Sequence, residues 1–153
     1  MIDKRDQGLR MRFELTEVSG YGLSVNVPDS FFFFKANDGL ERLTSGSGEV
    51  YYQFWRRGHD VGVYLHGESG RVFAGASLND LVFANSSVDC FTECVEKITE
   101  RSPFYSEDAD LEECELAARA LEGVVFGIDP SAIAEGTFWS DIISDISIGD
   151  YFE

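Results

Sequence analysis

The spacing of hydrophobic positions changes near residue 85, and this change divides the chain into two parts. Before it, short apolar or alternating segments lie between turns rich in glycine, a pattern typical of β-strands. After it, apolar residues recur every three or four positions, as they do along one face of an α-helix. The pattern predicts an α+β protein in which a group of strands precedes a group of helices.

The predicted sheet is an antiparallel meander. Four apolar segments cover residues 50–56, 61–66, 71–74 and 81–84, and short turns that contain glycine join the first three. Short connections of this kind indicate antiparallel neighbours, because parallel strands need a long crossover. One or two further strands are expected from the N-terminal part, where residues 11–18 alternate apolar and polar side chains.

Two segments in the first part have unusual compositions. Residues 31–34 are four consecutive phenylalanines, which favours a strand packed on both faces or a segment held beneath a helix. The loop at residues 44–48 contains Gly-Ser-Gly, but it lacks the Lys-Ser or Lys-Thr continuation of a phosphate-binding loop and precedes a strand. We therefore predict no nucleotide site in this loop.

The first predicted helix directly follows the strand at residues 81–84. Ser86 is expected to cap it, because a serine hydroxyl can accept a hydrogen bond from a first-turn amide. Asp89 then places negative charge at the positive end of the helix dipole. One side of this helix is apolar and should face the sheet; it consists of Val88, Phe91, Val95 and Ile98.

Two further helices are predicted near the C-terminus, separated by a single turn that Asp129 and Pro130 open. Apolar residues at helical spacing give each of them a face to bury. The longer helix has its apolar face at Leu111, Cys114, Ala118, Leu121 and Val125. The longer helix is expected to be capped by Ser106 and to end at Gly127. The last helix is expected to be capped by Thr137 and to end at Ile146.

Length, composition and charge narrow the classes of function. The chain has 153 residues, of which 44% are hydrophobic, and this suits one domain with one core. Its formal net charge of -16 is uneven: residues 1–60 contain 9 acidic and 8 basic residues, whereas residues 61–153 contain 19 and 4. A negative field repels nucleic acid and anionic lipid, and it speeds encounters with a basic partner. We therefore expect neither nucleic acid nor a membrane as the partner.

Candidate catalytic and metal-binding residues are few. The only histidines are His59 and His66, and neither a Gly-x-Ser-x-Gly nor a His-Glu-x-x-His motif occurs. Cys90, Cys94 and Cys114 lie on or beside apolar helix faces, so we expect buried, unmetallated thiols. The prediction is no catalytic residue, no metal and no cofactor, and a small thiol enzyme or a zinc site stays open as an alternative.

The sequence also suggests a location. Three cysteines are an odd number, which fits free thiols in a reducing compartment better than a disulfide framework. The first residues are polar and show no secretory leader, and the longest apolar run is too short to cross a bilayer. A cytoplasmic protein is expected.

Several segments, taken together in their order and spacing, resemble one protein family. They are residues 58–65 (GHDVGVYL), 70–74 (GRVFA) and 82–87 (VFANSS) with Phe91, followed by 128–130 (IDP), Gly136, Phe138, Trp139 and 142–149. The combination resembles the SUKH superfamily and is closest to its fourth branch. The match covers about residues 50–153. Val27 and Pro28 match only faintly, and residues 1–44 depart from the family pattern.

This resemblance implies a single α+β domain with a central antiparallel sheet flanked by helices, and no enzymatic activity. Members of the superfamily are mostly bacterial immunity proteins, which neutralise polymorphic toxins that are often nucleases or nucleic-acid deaminases. A protein of this kind would bind a cognate toxin and block it sterically; a regulatory scaffold with a cellular partner is the alternative. The resemblance implies structural roles for Gly70 in a hairpin turn, Asn85 and Ser86 at the helix entry, and Phe91, Phe138 and Trp139 in the core.

The expected contact site is a cluster of acids near the start of the long helix. Five acids lie close together there, more than matching the helix dipole requires, and two aromatic residues precede them as possible anchors. We predict that these residues contact a basic surface of the toxin; a solvated helix face without a partner is the alternative. The residues are Phe104, Tyr105, Asp108, Asp110, Glu112, Glu113 and Glu115.

Overall fold

The computed structural model describes residues 14–149, and within that range the strands precede the helices. The predicted α+β class is confirmed. The start of the first predicted strand, residues 11–13, lies outside the described residues. The strands are β1 (Leu15–Gly20), β2 (Leu23–Pro28), β3 (Ser30–Phe31), β4 (Phe34–Thr44), β5 (Val50–Arg57), β6 (Val61–His66), β7 (Val72–Gly75) and β8 (Leu81–Asn85). The helices are α1 (Val88–Thr99), α2 (Leu111–Ile128) and α3 (Phe138–Ser147), with a 3-10 turn at Pro130–Ile133.

Strands β3 to β8 form one six-stranded antiparallel meander, and each strand pairs with the next one in the chain. This confirms the predicted meander, with β3 and β4 as the two additional strands from the N-terminal part. The predicted strand at the start of the chain corresponds to β1, which does not join this sheet. It pairs with β2 in a separate hairpin that packs against β4 and α1.

The hairpin of β6 and β7 has the predicted pairing, with Val63 opposite Ala74. Its turn contains Gly70 at a φ of 76°, a conformation that costs glycine little because it has no Cβ. The turn between β7 and β8 needs a glycine for space, since a Cβ on Gly75 would lie 2.0 Å from the carbonyl oxygen of Asp80. Both turns therefore depend on a glycine, one for its dihedral angle and one for its small size.

The four phenylalanines form a tight hairpin turn, so the first of their two interpretations, a continuous strand, was wrong. The second, a segment held beneath a helix, agrees with ring contacts of 5.7 and 5.6 Å to Trp139 and Phe138 of α3. Phe31 ends β3 and lies opposite Phe34, which begins β4, while Phe32 has a φ of 52° in the turn. Phe31 and Phe34 are buried and both stack on Trp55, at centroid distances of 6.2 and 5.4 Å, whereas Phe33 is 71% exposed. Stacking of both ring planes on one tryptophan outweighs the strain of a positive φ at a non-glycine residue.

Phe91 lies at the centre of an aromatic core between the sheet and the helices. Its side chain is fully buried, and its ring centroid lies 4.9 Å from that of Trp55 and 5.5 Å from that of Phe54. On the helical side, Trp139 lies at 6.2 Å and Phe138 at 6.4 Å. The predicted inner face of α1 is therefore the correct one, and α1 and α3 are packed against the sheet through the same ring.

The cap of α1 is Ser87, one residue later than predicted. Ser87 Oγ accepts a hydrogen bond from the backbone N–H of Cys90 at 3.1 Å. Ser86 cannot fill this role because it is held by a distant residue: its Oγ donates to a carboxylate oxygen of Asp129 at 2.9 Å. The difference comes from a tertiary contact, which local capping rules do not include.

The cap of α2 is Asp110, whereas Ser106 was predicted. Asp110 accepts from the backbone N–H of Glu113 at 2.8 Å, and Glu113 accepts from the backbone N–H of Asp110 at 3.0 Å. This reciprocal capping box satisfies two backbone donors, which a lone serine cannot do. Ser106 instead lies in a preceding turn, where its carbonyl accepts from the N–H of Ala109.

The remaining helix ends agree closely with the pattern. α2 continues one residue past Gly127 to Ile128, and Thr137 caps α3 as predicted by accepting from the N–H of Ser140. The apolar face predicted for α2 is buried except at its first position, since Leu111 is 60% exposed. α2 packs on α3 and α1, and so it forms the outer part of the helical layer.

Replacing Phe91 with alanine should lower the free energy of unfolding by about 3–5 kcal/mol, because it opens a cavity among four aromatic rings. Denaturant unfolding measures the change. Leu116→Ala is the matched control, since Leu116 is 56% exposed and its loss should change stability by about 0.5 kcal/mol or less. Equal losses in the two variants would contradict the placement of the core.

Candidate functional site

The five predicted contact acids divide into two groups. Asp108, Glu112 and Glu115 are exposed near the start of α2. Asp110 and Glu113 are also exposed, but they hold each other in the capping box. Because a capping residue is committed to its own helix, the first group is the one available to a partner.

The two predicted aromatic anchors pack against the protein itself. Tyr105 is partly buried, and its hydroxyl donates to the carbonyl oxygen of Ile146 at 2.6 Å. Phe104 is partly buried too, with its ring 5.8 Å from that of Phe32. These contacts tie the segment before α2 to the end of α3 and to the phenylalanine turn, so the two rings project less than predicted.

A groove of about 800 Å³ runs between α2 and α3 and is bounded at one end by the 3-10 turn. Ala118, Ile133 and Ile143 contribute apolar surface to it. Most of its lining is ionisable or hydroxylic: Glu115, Arg119, Glu122, Glu135, Ser140, Asp141, Ser144 and Ser147. Pockets that bind small molecules are mostly apolar, whereas polar side chains dominate this lining. The groove is therefore a recess in a polar surface and not a typical small-molecule pocket.

Exposed acids from α2, α3 and the segment between them share this side of the molecule. The groove shows that Glu115 and Glu122 of α2 face Glu135 and Asp141 across a single recess. The sequence analysis did not predict Glu122, Glu135 or Asp141 as contact residues. Helical spacing alone places Glu122 on the same face of α2 as Glu115. We name the following exposed residues the acidic helical surface: Glu112, Glu115, Glu122, Glu135 and Asp141.

A buried polar network fixes the elements beneath this surface. Asp129 is 4% exposed and follows α2 directly. Its carboxylate accepts from the side-chain amide of Asn85 at 3.0 Å, from the backbone N–H of Ser86 at 2.7 Å and from the hydroxyl of Ser86 at 2.9 Å. The carbonyl oxygen of the Asn85 side chain in turn accepts from the indole N–H of Trp139 at 2.7 Å. One network thus joins the end of β8, the end of α2 and the first turn of α3.

His66 belongs to a constellation that has the elements of a hydrolytic triad. Its Nδ1 lies 2.6 Å from the hydroxyl oxygen of Ser69, and its Nε2 lies 2.7 Å from a carboxylate oxygen of Glu49. However, Nδ1 also accepts from the backbone N–H of Ser69 at 3.2 Å, and the hydroxyl oxygen accepts from the N–H of Arg71 at 3.2 Å. These hydrogen bonds lie within the turn between β6 and β7, and the contact with Glu49 joins this turn to the residue before β5. The group therefore stabilises the end of the hairpin.

The cysteines lie on α1 and α2 as free thiols. Cys94 and Cys114 are buried, and Cys90 is partly buried. Burial raises the pKa of the Cys94 thiol from 9.0 to about 12, because the apolar surroundings disfavour the thiolate. Within residues 14–149, no group of three or more His, Cys, Asp or Glu side chains could hold a metal ion. In the same range, no helix is long and apolar enough to cross a membrane.

The sequence profile of the SUKH-4 immunity protein family matches residues 43–145, about two thirds of the chain. The chain belongs to this family. The matched range begins at the end of β4 and ends within α3, so it includes strands β5 to β8 and most of the helical layer. The resemblance seen in the sequence is confirmed. No curated protein and no solved structure matches the chain.

In this SUKH-4 protein, Asp129→Ala should lower the free energy of unfolding by about 3 kcal/mol, because it leaves the buried amide of Asn85 without an acceptor and removes two part-buried hydrogen bonds from Ser86. Asp129→Asn should cost less, since an amide oxygen can still accept from Asn85 and Ser86. Denaturant unfolding distinguishes the two variants. Equal losses would show that the hydrogen bonds of the network contribute little.

The raised pKa of Cys94 leads to a second prediction. The folded state favours the protonated thiol, so this contribution to stability is full below about pH 9 and is lost as the pH rises towards 12. Unfolding free energies measured from pH 8 to 11 should therefore fall, and less steeply in Cys94→Ala. At pH 8 a thiol-reactive dye should label Cys94 only after unfolding; rapid labelling in the native protein would contradict its burial.

Proposed function

We propose that this SUKH-4 protein binds a cognate toxin through the acidic helical surface and neutralises it by covering the toxin's substrate-binding groove. Membership of an immunity protein family supports the toxin as the partner. The observation that carries the finer proposal is the charge of the helical layer. Residues 86–149 contain 15 acidic and 3 basic residues, and seven exposed acids lie on α2, α3 and the segment between them, five of which form the acidic helical surface.

A toxin that acts on nucleic acid fits this charge. A nuclease or a nucleic-acid deaminase must hold phosphate groups, and so it needs a basic groove. An acidic protein surface can occupy the place of those phosphates and exclude the substrate sterically. We therefore assign this protein a binding activity without catalysis, exercised in the cytoplasm where the toxin's substrate lies.

Exposed leucines at the start of α2 replace the predicted aromatic anchors in this proposal. Leu111 and Leu116 are 60% and 56% exposed, and with Glu112, Glu115 and Arg119 they line a recess of about 450 Å³. Burial of apolar side chains slows dissociation of a complex, whereas exposed charges mainly raise the association rate. The start of α2 supplies both kinds of contact in one place.

Reversal of charge at Glu112, Glu115 and Glu122 to lysine should slow association with the toxin about tenfold or more at low salt, because electrostatic steering is reduced. The cognate toxin is the binding partner to use, and stopped-flow mixing at several salt concentrations measures the rate. The salt dependence of the rate should also become shallower. The melting temperature should stay near that of the wild type, since Asp110 and Glu113 are left in place to cap α2.

The matched control reverses three exposed acids on the strands and hairpins, Asp38, Glu41 and Glu68. It changes the net charge by the same amount and should affect the association rate much less. An equal effect in both triple variants would mean that net charge, and not this surface, guides the toxin. Failure of the wild-type protein to bind or inhibit the toxin would reject the proposed function altogether.

A further inference from the structure

One base lies among the acids of α2. Arg119 lines the groove between α2 and α3, and it also lines the recess beside Leu111 and Leu116 at the start of α2. Among the residues that line the groove and the recess, Arg119 is the only base. A partner that covers the acidic helical surface therefore covers Arg119 as well.

The fold does not use the charge of Arg119. Its side chain is exposed, and it forms no ion pair and no hydrogen bond with any residue in the range 14–149. Glu115 and Glu122 lie four positions before it and three positions after it on α2, a spacing at which side chains on a helix can meet. Neither carboxylate binds the guanidinium group, so this cation is available to a partner.

The positive charge of Arg119 opposes the approach of a basic toxin. Steering depends on the sum of the charges on a surface, and a cation among carboxylates weakens the attraction. An exposed charge without an ion pair also adds little to stability. Neither folding nor steering therefore gains from a base at this position.

Binding changes the surroundings of this cation. When the toxin covers the groove and the recess, the guanidinium group loses water, and a charge without water needs an acceptor. The neighbouring carboxylates of Glu115 and Glu122 bind bases of the toxin in the proposed function. The acceptor for Arg119 therefore has to come from the toxin. A carboxylate suits it best, because two parallel N–H donors of arginine match the two carboxylate oxygens.

We propose that Arg119 binds a carboxylate of the toxin, an inference that rests on the proposed function. The acids around Arg119 bind bases, so this ion pair has the opposite polarity to its neighbours and fixes one orientation of the toxin. A toxin with a base at the matching position would bring two cations together without water, and such a contact is unfavourable. Arg119 thus distinguishes the cognate toxin from other basic toxins.

Arg119→Glu and Arg119→Ala in the full chain test this role. Both make the surface more negative, so association with the toxin should be as fast as in the wild type or faster. The dissociation rate should nevertheless rise at least about tenfold, because the carboxylate of the toxin loses its partner. A charge that acts only through the overall field predicts slower dissociation instead. The melting temperature should stay near that of the wild type, since Arg119 has no partner in the fold.

Arg101→Glu and Arg101→Ala are the matched controls. Arg101 is an exposed base just after α1, and it lines neither the groove nor the recess. Its replacement changes the net charge by the same amount and should change the dissociation rate less than about twofold. An equal rise in dissociation for the Arg101 and Arg119 variants would overturn the proposal, because net charge would then explain both.

Exchange of charge with the toxin identifies the partner of Arg119. In a set of toxin variants, one Asp or Glu at a time is changed to arginine. One variant should dissociate from the wild-type protein at least about tenfold faster, and Arg119→Glu should restore slow dissociation, because the ion pair is rebuilt with reversed polarity. If Arg119→Glu rescues no toxin variant, Arg119 has no carboxylate partner and the proposal is wrong.

The outcomes separate this proposal from the proposed function. If the wild-type protein binds the toxin and the Arg119 variants keep its dissociation rate, the role of Arg119 is rejected and the proposed function stands. If Arg119→Ala lowers the melting temperature and dissociation rises only with it, Arg119 serves the stability of α2 and the proposal is likewise wrong. If the wild-type protein does not bind the toxin, both fall together.

Discussion

The buried carboxylate of Asp129 is the interaction on which the arrangement of the helices depends. It sits at the end of α2 and binds the junction between β8 and α1 through Asn85 and Ser86. Asn85 then binds Trp139 at the start of α3. A buried carboxylate is costly unless donors compensate it, and here three donors from two neighbouring residues do so. The relative positions of the three helices and the sheet thus depend on the side chain of Asp129.

The aromatic core packs tightly beneath the helices and supports this arrangement. Trp55 stacks on Phe31 and Phe34 and meets Phe91 edge to face, while its indole N–H donates to the carbonyl of Pro28 at 2.7 Å. The β1–β2 hairpin, the sheet and α1 are therefore joined at one tryptophan. Because this core holds the helices in place, the helical layer is a preformed surface. A preformed surface loses less entropy when a partner binds.

Acidic residues in the helical layer serve several purposes, and the structure separates them. Asp110 and Glu113 cap α2, and Asp129 accepts buried hydrogen bonds. Glu115, Glu122, Glu135 and Asp141 line a groove instead, and this is a use of negative charge that stability does not require. Removal of the first group should therefore cost stability, and it is the second group to which the proposed function assigns recognition of the toxin.

The sequence by itself determined the features that depend on neighbouring residues along the chain. Periodicity identified the α+β class and the inner face of α1 around Phe91, because side-chain direction follows directly from local backbone geometry. Short turns that contain glycine identified the meander and the pairing of β6 with β7. The family resemblance likewise came from segments that keep their order and spacing. Only the tertiary structure decided the cap of α1, the turn at Phe32 and the course of the acidic surface. Ser86 is diverted by a residue 43 positions away, the phenylalanine turn is held by Trp55, and the groove is built from separate elements. Contacts between residues far apart in the chain set these features, and no local pattern encodes which partners will meet.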